Sequence, residues 1–371
     1  MSKEYTALGL MSGTSMDGVD ASIIQSDGEK KYKVILDKYF EYPQGIYKYL
    51  TKLRDKIKSS KDLKKFSKEI KNVEKEITLF HAKAVNEILK KTKVKVNFIG
   101  FHGQTIYHNA KEKISKQLGD GNLLSQLTKK NVVFNFRNND IKNGGEGAPL
   151  SPIFHQLIAT KLKIDLPVCI LNIGGIANIS IIEEPFGSNN FSSKDIGPGN
   201  CLIDSWVRKN SKKKYDNDGI LAKTGKMNEI IFEQAQELFS SRFNKKILSF
   251  DVNDFDVSFV RGLNLEDGAA TLTEFTASVI SATLSSLDKK ISKILICGGG
   301  RKNSYLIGLI RNKISKDIII ESIDNYGLSG DFIESQAFAF LATRSILKLP
   351  ISFPLTTGCK EPITGGEIVE Y

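Results

Sequence analysis

Apolar, β-rich runs break off at glycine-containing turns in four places along the chain: YTALGLMSGTSMDGVDASII, KVNFIGFHGQTIYH, VCILNIGGIANISII and KILICGGGRKNSYLIGLI. The first and third are the closest pair. Each reads as strand, small-residue turn and strand, with the turn at Ser12 to Gly18 in one and at Gly174 to Asn178 in the other. They predict one hairpin used twice, and hence two halves of related design. In the fourth run, RKNSYLIGLIRNKI takes helical spacing after the glycines, giving strand, turn and helix. Helical periodicity also covers 48–91, 149–163, 227–242, 271–287 and 335–347. Strands alternating with helices predict an α/β protein. A boundary is expected in NNDIKNGGEGAPLSP, where three glycines and two prolines gather. It divides the chain into a first α/β domain over 1–140, with 345–371 packing back on it, and a second over 141–344.

Composition fits this reading. A chain of 371 residues with 40% hydrophobic and 26% charged residues is long enough for two cores and ordinary for a soluble protein. No apolar window approaches the ~20 residues of a membrane span, and no apolar segment follows the first charges as in a secretion signal. A cytoplasmic location without membrane association is therefore expected. Cys169, Cys201, Cys297 and Cys359 are far apart and form no C-x-x-C pair, which makes them buried or incidental thiols.

The net charge of +11 points toward nucleic acid only until its distribution is read. The excess lysines concentrate over 48–95, where Leu53, Ile57, Leu63, Phe66, Ile70, Val73, Ile77 and Phe80 recur mostly every three to four residues. The lysines then form the wet face of one or two helices. Aromatic interleaving and a groove-reading motif are absent, so no nucleic-acid partner is expected. A basic surface still attracts small anions.

The stretch MSGTSMDGVD tests several chemistries. Gly13 and Gly18 have P-loop spacing, but Val19 and Asp20 stand where lysine and a hydroxyl residue belong, and a strand follows instead of a helix. Ser15 is not in a G-x-S-x-G elbow. What remains is a hairpin turn rich in backbone N–H groups and short hydroxyls. It suits phosphate oxygens, with Asp17 or Asp20 able to hold Mg²⁺ through water; the other reading is a plain tight hairpin. The glycines of NIGGIAN, DIGPGN and CGGGRKN likewise let a flat or anionic ligand approach the backbone. Two phosphate-type hairpins and a glycine turn before a helix match the nucleotide cleft of the actin, hexokinase and Hsp70 type.

GLMSGTSMDGVD, FHGQTIYH, FRNNDIKNGGEGAPL, LNIGGIANIS, DIGPGNCLIDSW, DGAATLTEFTA, CGGGRKN and ESQAFAFLA follow one another over nearly the whole chain. In these motifs the sequence resembles the anhydro-N-acetylmuramic acid kinases. The resemblance implies a two-domain actin-like ATPase fold, ribonuclease H-like, with an interdomain cleft, and a homodimer. It also implies a reaction in peptidoglycan recycling: ATP, water and 1,6-anhydro-N-acetylmuramic acid give ADP and N-acetylmuramic acid 6-phosphate. Departures occur at Asn135, where members often have aspartate, at Ile196, where they have threonine, and over 245–256, which replaces a basic segment. A nucleotide- or sugar-sensing protein on the same fold is the alternative, against which the retained Asp195 speaks.

The resemblance also distributes roles. By that resemblance Asp195, in the D-x-G-P-G-N position, is the general base for water; the residues alone favour a turn cap. Gly13, Thr14, Ser15, Met16, Asp17, Gly18, Val19 and Asp20 fall to ATP, with Gly174, Gly175, Gly298, Gly299 and Gly300, and Asp17 to Mg²⁺ through water. His102, Arg137, Gly197 and Glu334 fall to the sugar. For Arg137 the contact is the anionic sugar or the transferring phosphate, and it also reads as a domain-interface ion pair; Glu334 also reads as a carboxylate favoured at a helix start. His102 and His108 lack partners at zinc-ligand spacing, His81 and His155 read as helix residues, and Trp206 as packed core.

Overall fold

The computed structural model describes residues 3–243, 249–288 and 290–371; five residues of the divergent 245–256 region and its flank, 244–248, lie outside the described residues. The doubled hairpin is present. β1 (Tyr5–Ser12) pairs antiparallel with β2 (Gly18–Ser26), and β2 with β3 (Tyr32–Glu41). β4 (Phe98–Asn109) and β6 (Asn131–Phe134) continue the sheet in parallel, β5 (Ile114–Leu118) pairs with β4, and the late strand β12 (Glu367–Val369) closes the β6 edge antiparallel. In the second sheet β7 (Val168–Ile173) pairs antiparallel with β8 (Ile176–Ile182), which β9 (Phe191–Pro198) flanks, while β10 (Lys293–Cys297) and β11 (Ile319–Ser322) extend it in parallel.

Both sheets thus follow one plan. The first runs β3-β2-β1-β4-β6 and the second β9-β8-β7-β10-β11, so that with β5 and β12 set aside the order in both is third, second, first, fourth and fifth strand. This duplicated order is the ribonuclease H-like layout that the resemblance implies. β7 is buried at all six positions, as a central strand covered on both faces must be. Its turn is tighter than expected, Gly174 and Gly175 alone.

The lysine-rich stretch forms three helices rather than one or two: α1 (Gln44–Lys56), α2 (Ser60–Lys65) and α3 (Ser67–Leu89). The break between α1 and α2 comes from Ser59, whose hydroxyl and N–H both reach the Asp62 carboxylate at 2.9 Å and start a new helix, while α2 and α3 part at Phe66 alone. Leu53, Ile57, Ile70, Val73 and Ile77 are buried, Leu63, Phe66 and Phe80 pack at the edge of the same core, and Lys52, Lys61, Lys64, Lys68, Lys71 and Lys75 face solvent. α4 (Gly121–Thr128), α5 (Asn138–Lys142) and α6 (Pro152–Lys161) follow, then α7 (Cys201–Asn210), α8 (Ile220–Thr224), α9 (Glu229–Phe243), α10 (Leu265–Ser285), α11 (Ser304–Lys313), α12 (Ile333–Ile346) and α13 (Pro354–Thr357). α10 begins six residues before its expected start because the Asn264 side chain accepts the Asp267 N–H at 2.8 Å. Among the described residues no helix is long and apolar enough to cross a membrane.

The chain divides into two compact units, Met1–Ile164 with Glu184–Ser193 and Asp331–Tyr371, and Asp165–Glu183 with Lys194–Gly330. The first unit therefore extends past the expected 140, and the chain returns to it at Asp331 rather than about 345. Packing explains both shifts. Phe154 of α6 stacks edge-on with Tyr32 and tilts against Phe340, at centroid distances of 5.1 and 5.6 Å. α12 lies directly on β1 and β4, where Gly9 and Gly100 stand opposite each other in register. A Cβ at Gly9 would sit 1.9 Å from the Ser335 carbonyl, and one at Gly100 2.3 Å from that of Phe338. Only glycine allows so close an approach.

The core of the second unit has two parts. Ile294, Ile296, Ile280 and Leu306 join its sheet to α10 and α11, while Trp206, 5% exposed, centres a cluster with α7 and α10. Trp206 is the packed residue the sequence suggests, and its indole N–H donates to the Leu265 carbonyl at 2.9 Å.

Candidate active site

The five residues between β1 and β2 are held from below. The Met16 N–H donates to Gly13 O at 3.2 Å, and Met16 takes a positive φ of 58° that drops its side chain into the core. Val19 also points into the core, which leaves only backbone from these two positions to face a ligand. A Cβ at Gly18 would strike the Phe40 carbonyl at 2.5 Å, whereas at Gly13 the nearest atom is 3.9 Å away, in open space. The Thr14 carbonyl accepts from Arg54 Nη1 at 3.2 Å, and that of Gly13 from Gln104 Nε2 at 2.9 Å. Ser15 Oγ donates to Asp17 Oδ1 at 2.5 Å.

Tyr42 fastens both ends of this loop. Its backbone N–H donates to Asp17 O at 2.8 Å, and its hydroxyl lies 2.9 Å from Ser12 Oγ. Ser12 Oγ is in turn 3.2 Å from His81 Nε2, and His81 Nδ1 donates to the Ile77 carbonyl at 2.8 Å. That last bond assigns the proton to Nδ1, so the relay runs from Tyr42 O–H to Ser12 to His81 Nε2. Burial, with the charges of Asp17 and Asp20 nearby, raises the pKa of the Tyr42 phenol.

The carboxylates of Asp17 and Asp20, with the hydroxyls of Thr14 and Ser15 on the same hairpin, are hard oxygen donors. Among the described residues no group of three or more His, Cys, Asp or Glu makes an all-protein metal cage. The set fits Mg²⁺, which takes one or two carboxylates and fills its remaining positions with water and phosphate oxygens.

A second group in the same unit gathers His102, Arg137 and Glu334. His102 does not stand on a turn: β4 runs through it, with a bulge where two residues, His102 and Gly103, oppose Met11 alone. His102 Nδ1 donates to Gly103 O at 2.8 Å, and Nε2 accepts from Arg137 Nη2 at 2.9 Å and Nε at 3.2 Å. With both nitrogens engaged, the ring orients Arg137. Arg137 Nη1 donates to Gly147 O at 2.7 Å. Glu334, half-buried in the first turn of α12, has its pKa raised by burial against the opposing pull of Arg137. The departure at Asn135 also has a cause: its φ is 53°, a conformation asparagine tolerates well, and its Nδ2 donates to Glu367 Oε2 at 3.0 Å.

The buried histidines make a measurable prediction. Burial lowers His81 and His155 to about 4 and, with Arg137 adding to it, holds His102 well below 6.5. Their folded pKa values lie below the unfolded one, so the unfolded chain binds the extra protons on acidification. Their contribution to stability is full above about pH 6.5 and is lost as pH falls toward 4, at up to about 1.4 kcal/mol per ring per pH unit. Burial raises Asp37 and Glu334, which act in the opposite direction but are fewer. The denaturant midpoint is expected to drop clearly between pH 7.5 and pH 5; an unchanged midpoint would mean that these rings titrate normally.

In the second unit Asp195 lies half-buried on β9, where Oδ2 accepts the Phe250 N–H at 2.7 Å. Gly197, at φ 151°, is a packing position, since a Cβ there would lie 2.5 Å from Val279 Cγ1. The carbonyls of Gly174 and Gly175 receive the start of α7: Asn200 N–H donates to Gly174 O at 2.8 Å, and Gly199 N–H to Gly175 O at 2.9 Å. The NIGGIAN and DIGPGN turns are therefore locked to one another. Of the three glycines after β10, Gly300 packs on Ile173 and Gly298 on Asn172 and Ile173, while Gly299 is exposed with open space beside it. Arg301 braces this turn by donating to both Asp324 oxygens, at 2.6 and 3.0 Å, and holds the Asp324 carboxyl well below the usual carboxylate range.

The family model of anhydro-N-acetylmuramic acid kinase matches residues 5–370. The chain belongs to the anhydro-N-acetylmuramic acid kinase family. It is 57% identical over 374 residues to the anhydro-N-acetylmuramic acid kinase of Pelagibacter ubique, covering all of both chains. It is 39% identical to that of Zymomonas mobilis, over 98% of this chain and 99% of the other. A gluconate kinase from Lactobacillus acidophilus aligns over 93% of this chain and 90% of its own at a TM-score of 0.43 and 12% identity, a likeness too loose to bear on the fold, which the strand order settles.

In this family member the supporting residues are the ones that motif reading passes over. Tyr42, His81 and Gln104 hold the loop of the first hairpin, and Asp140 and Thr357 hold the segment behind Arg137. Of these, Gln104 and Asp140 lie inside quoted motifs, and that was the available signal; Tyr42, His81 and Thr357 stand in ordinary strand-end or helical sequence.

Proposed function

We propose that the protein uses ATP to phosphorylate 1,6-anhydro-N-acetylmuramic acid at O6 while water opens the anhydro ring, with Asp195 as general base. The full-length family match carries the activity. Asp195 is assigned from the D-x-G-P-G-N motif, and the bond from Phe250 N–H orients its carboxylate.

The reaction balances as follows. Water adds to C1 as the C1–O6 bond breaks, O6 takes the γ-phosphoryl group, ADP leaves, and the water proton passes to the Asp195 carboxylate. Because O6 leaves onto phosphorus, it needs no proton, so one carboxylate serves where an inverting glycosidase uses two. The backbone and hydroxyls of 13–17 cradle the phosphates, with Gly299 offering a second open stretch of backbone. Asp17 and Asp20 would hold Mg²⁺, which neutralises phosphate charge. Arg137, oriented by His102, meets the sugar's carboxylate, and Glu334 accepts a sugar hydroxyl. A cytoplasmic homodimer completes the reading that the family resemblance implies.

The direct test is to incubate purified protein with ATP, Mg²⁺ and 1,6-anhydro-N-acetylmuramic acid and to seek, by mass spectrometry, a product heavier by one phosphate and one water. No product above a no-enzyme control would overturn the assignment.

A further inference from the structure

Asp140 is 1% exposed and carries a carboxylate into the interior of the first unit. Burying such a charge is costly, and an apolar side chain would pack there without that cost. Both oxygens are in use: Oδ2 accepts the Gly147 N–H at 2.7 Å, and Oδ1 accepts the Thr357 hydroxyl at 2.6 Å. The main chain of 140–147 folds around the group. The Gly145 N–H donates to Asp140 O at 2.9 Å, and a Cβ on Gly145 would fall 2.2 Å from the carboxylate. Thr357 fixes the same loop a second time, its carbonyl accepting the Glu146 N–H at 2.8 Å.

What this arrangement holds is Gly147. Gly147 sits at φ 77°, and its carbonyl receives Arg137 Nη1 at 2.7 Å while the rest of the guanidinium bonds to His102 Nε2. We infer that Asp140, with Thr357, is a positioning residue for the reaction: by fixing Gly147 it sets the direction in which Arg137 presents its charge to the anionic sugar. The inference rests on the placement of Arg137 at the sugar given above. Without the carboxylate the Gly147 N–H loses its acceptor, the loop relaxes, and Arg137 keeps only the His102 side of its clamp. A displacement of this kind is felt in turnover far more than in folding.

The experiment compares steady-state kinetics and melting curves of four variants with the wild type. Asp140→Ala is expected to lower kcat/KM for the sugar on the order of tenfold, as for other residues that orient a functional group, with KM for ATP unchanged. Asp140→Asn is expected to recover most of the loss, because an amide still accepts from Gly147 and donates to the Thr357 hydroxyl. Arg137→Ala is expected to lose more, and adding Asp140→Ala to it should cost no further activity, since nothing remains to be positioned. Losses that multiply in the double variant, or an Asp140→Ala variant of wild-type kinetics beside a damaged Arg137→Ala, overturn the inference alone. An Arg137→Ala variant with wild-type kcat/KM overturns the sugar-site reading and the inference with it. If Asp140→Ala does not fold, Thr357→Val takes its place: a loss confined to sugar kinetics supports the inference, and wild-type kinetics overturns it.

Discussion

Replacing Asp195 by Asn is expected to abolish turnover while leaving the fold and ATP binding nearly intact. The amide has the shape of the carboxylate, and its oxygen can still accept the Phe250 N–H. It cannot take a proton from water, and loss of a general base typically costs about 10²–10⁴-fold in rate. A turn-capping role predicts the opposite pattern, in which activity falls only as far as stability does. Product formation measured beside a melting curve separates the two. Turnover of the wild type in H₂¹⁸O adds an independent check, because water attacking C1 places the label in the C1 hydroxyl and none in the phosphate. Label in the phosphate, or an Asn variant keeping more than about a tenth of the rate against that expected loss, would remove Asp195 from the role.

Asp17→Asn is expected to have the next largest effect, confined to the nucleotide. The Asn side chain can still accept the Ser15 hydroxyl, and the loop keeps its bonds to Tyr42 N–H, Arg54 and Gln104, so the hairpin retains its shape. What disappears is one negative charge that, in the proposed reading, lies beside the phosphates and their Mg²⁺. Removing a single preorganised electrostatic group costs about 10²–10³-fold, and here the loss should fall on kcat/KM for ATP and be eased by raising Mg²⁺. Sugar affinity without nucleotide, measured by calorimetry, should hold. An equal loss of sugar binding would assign the loop to the sugar.

Both experiments probe residues that motifs brought to notice, but the structure divides those motifs by task. Gly299 is open while Gly298 and Gly300 are packed; Gly13 is open while Gly18 is packed. Each of these glycines looks the same in the sequence. Whether one meets a ligand or a neighbouring strand depends on atoms far away in the chain, such as Ile173 against Gly300 and Phe40 against Gly18. The histidines divide likewise. His102 is read as a site residue from HGQT, yet its bond to Arg137 spans 35 positions, and His81, read only as a helix residue, reaches Ser12 across 69.

The sequence by itself determined the doubled hairpin, the α/β class, the wet and dry faces of the lysine-rich helices and the family. These follow from period, turn chemistry and motif, which act among residues a few positions apart. Only the tertiary structure decided that the chain returns to its first unit at Asp331 and that β4 runs on through His102. It also decided that a buried aspartate stands behind Arg137. The reason is the same in each case. α12 joins the first unit because Gly9 and Gly100 leave room for the carbonyls of Ser335 and Phe338, and Asp140 tolerates burial because Gly147 and Thr357 supply its hydrogen bonds. Such fits are set by contacts between distant segments, and the chain makes them only once it has folded.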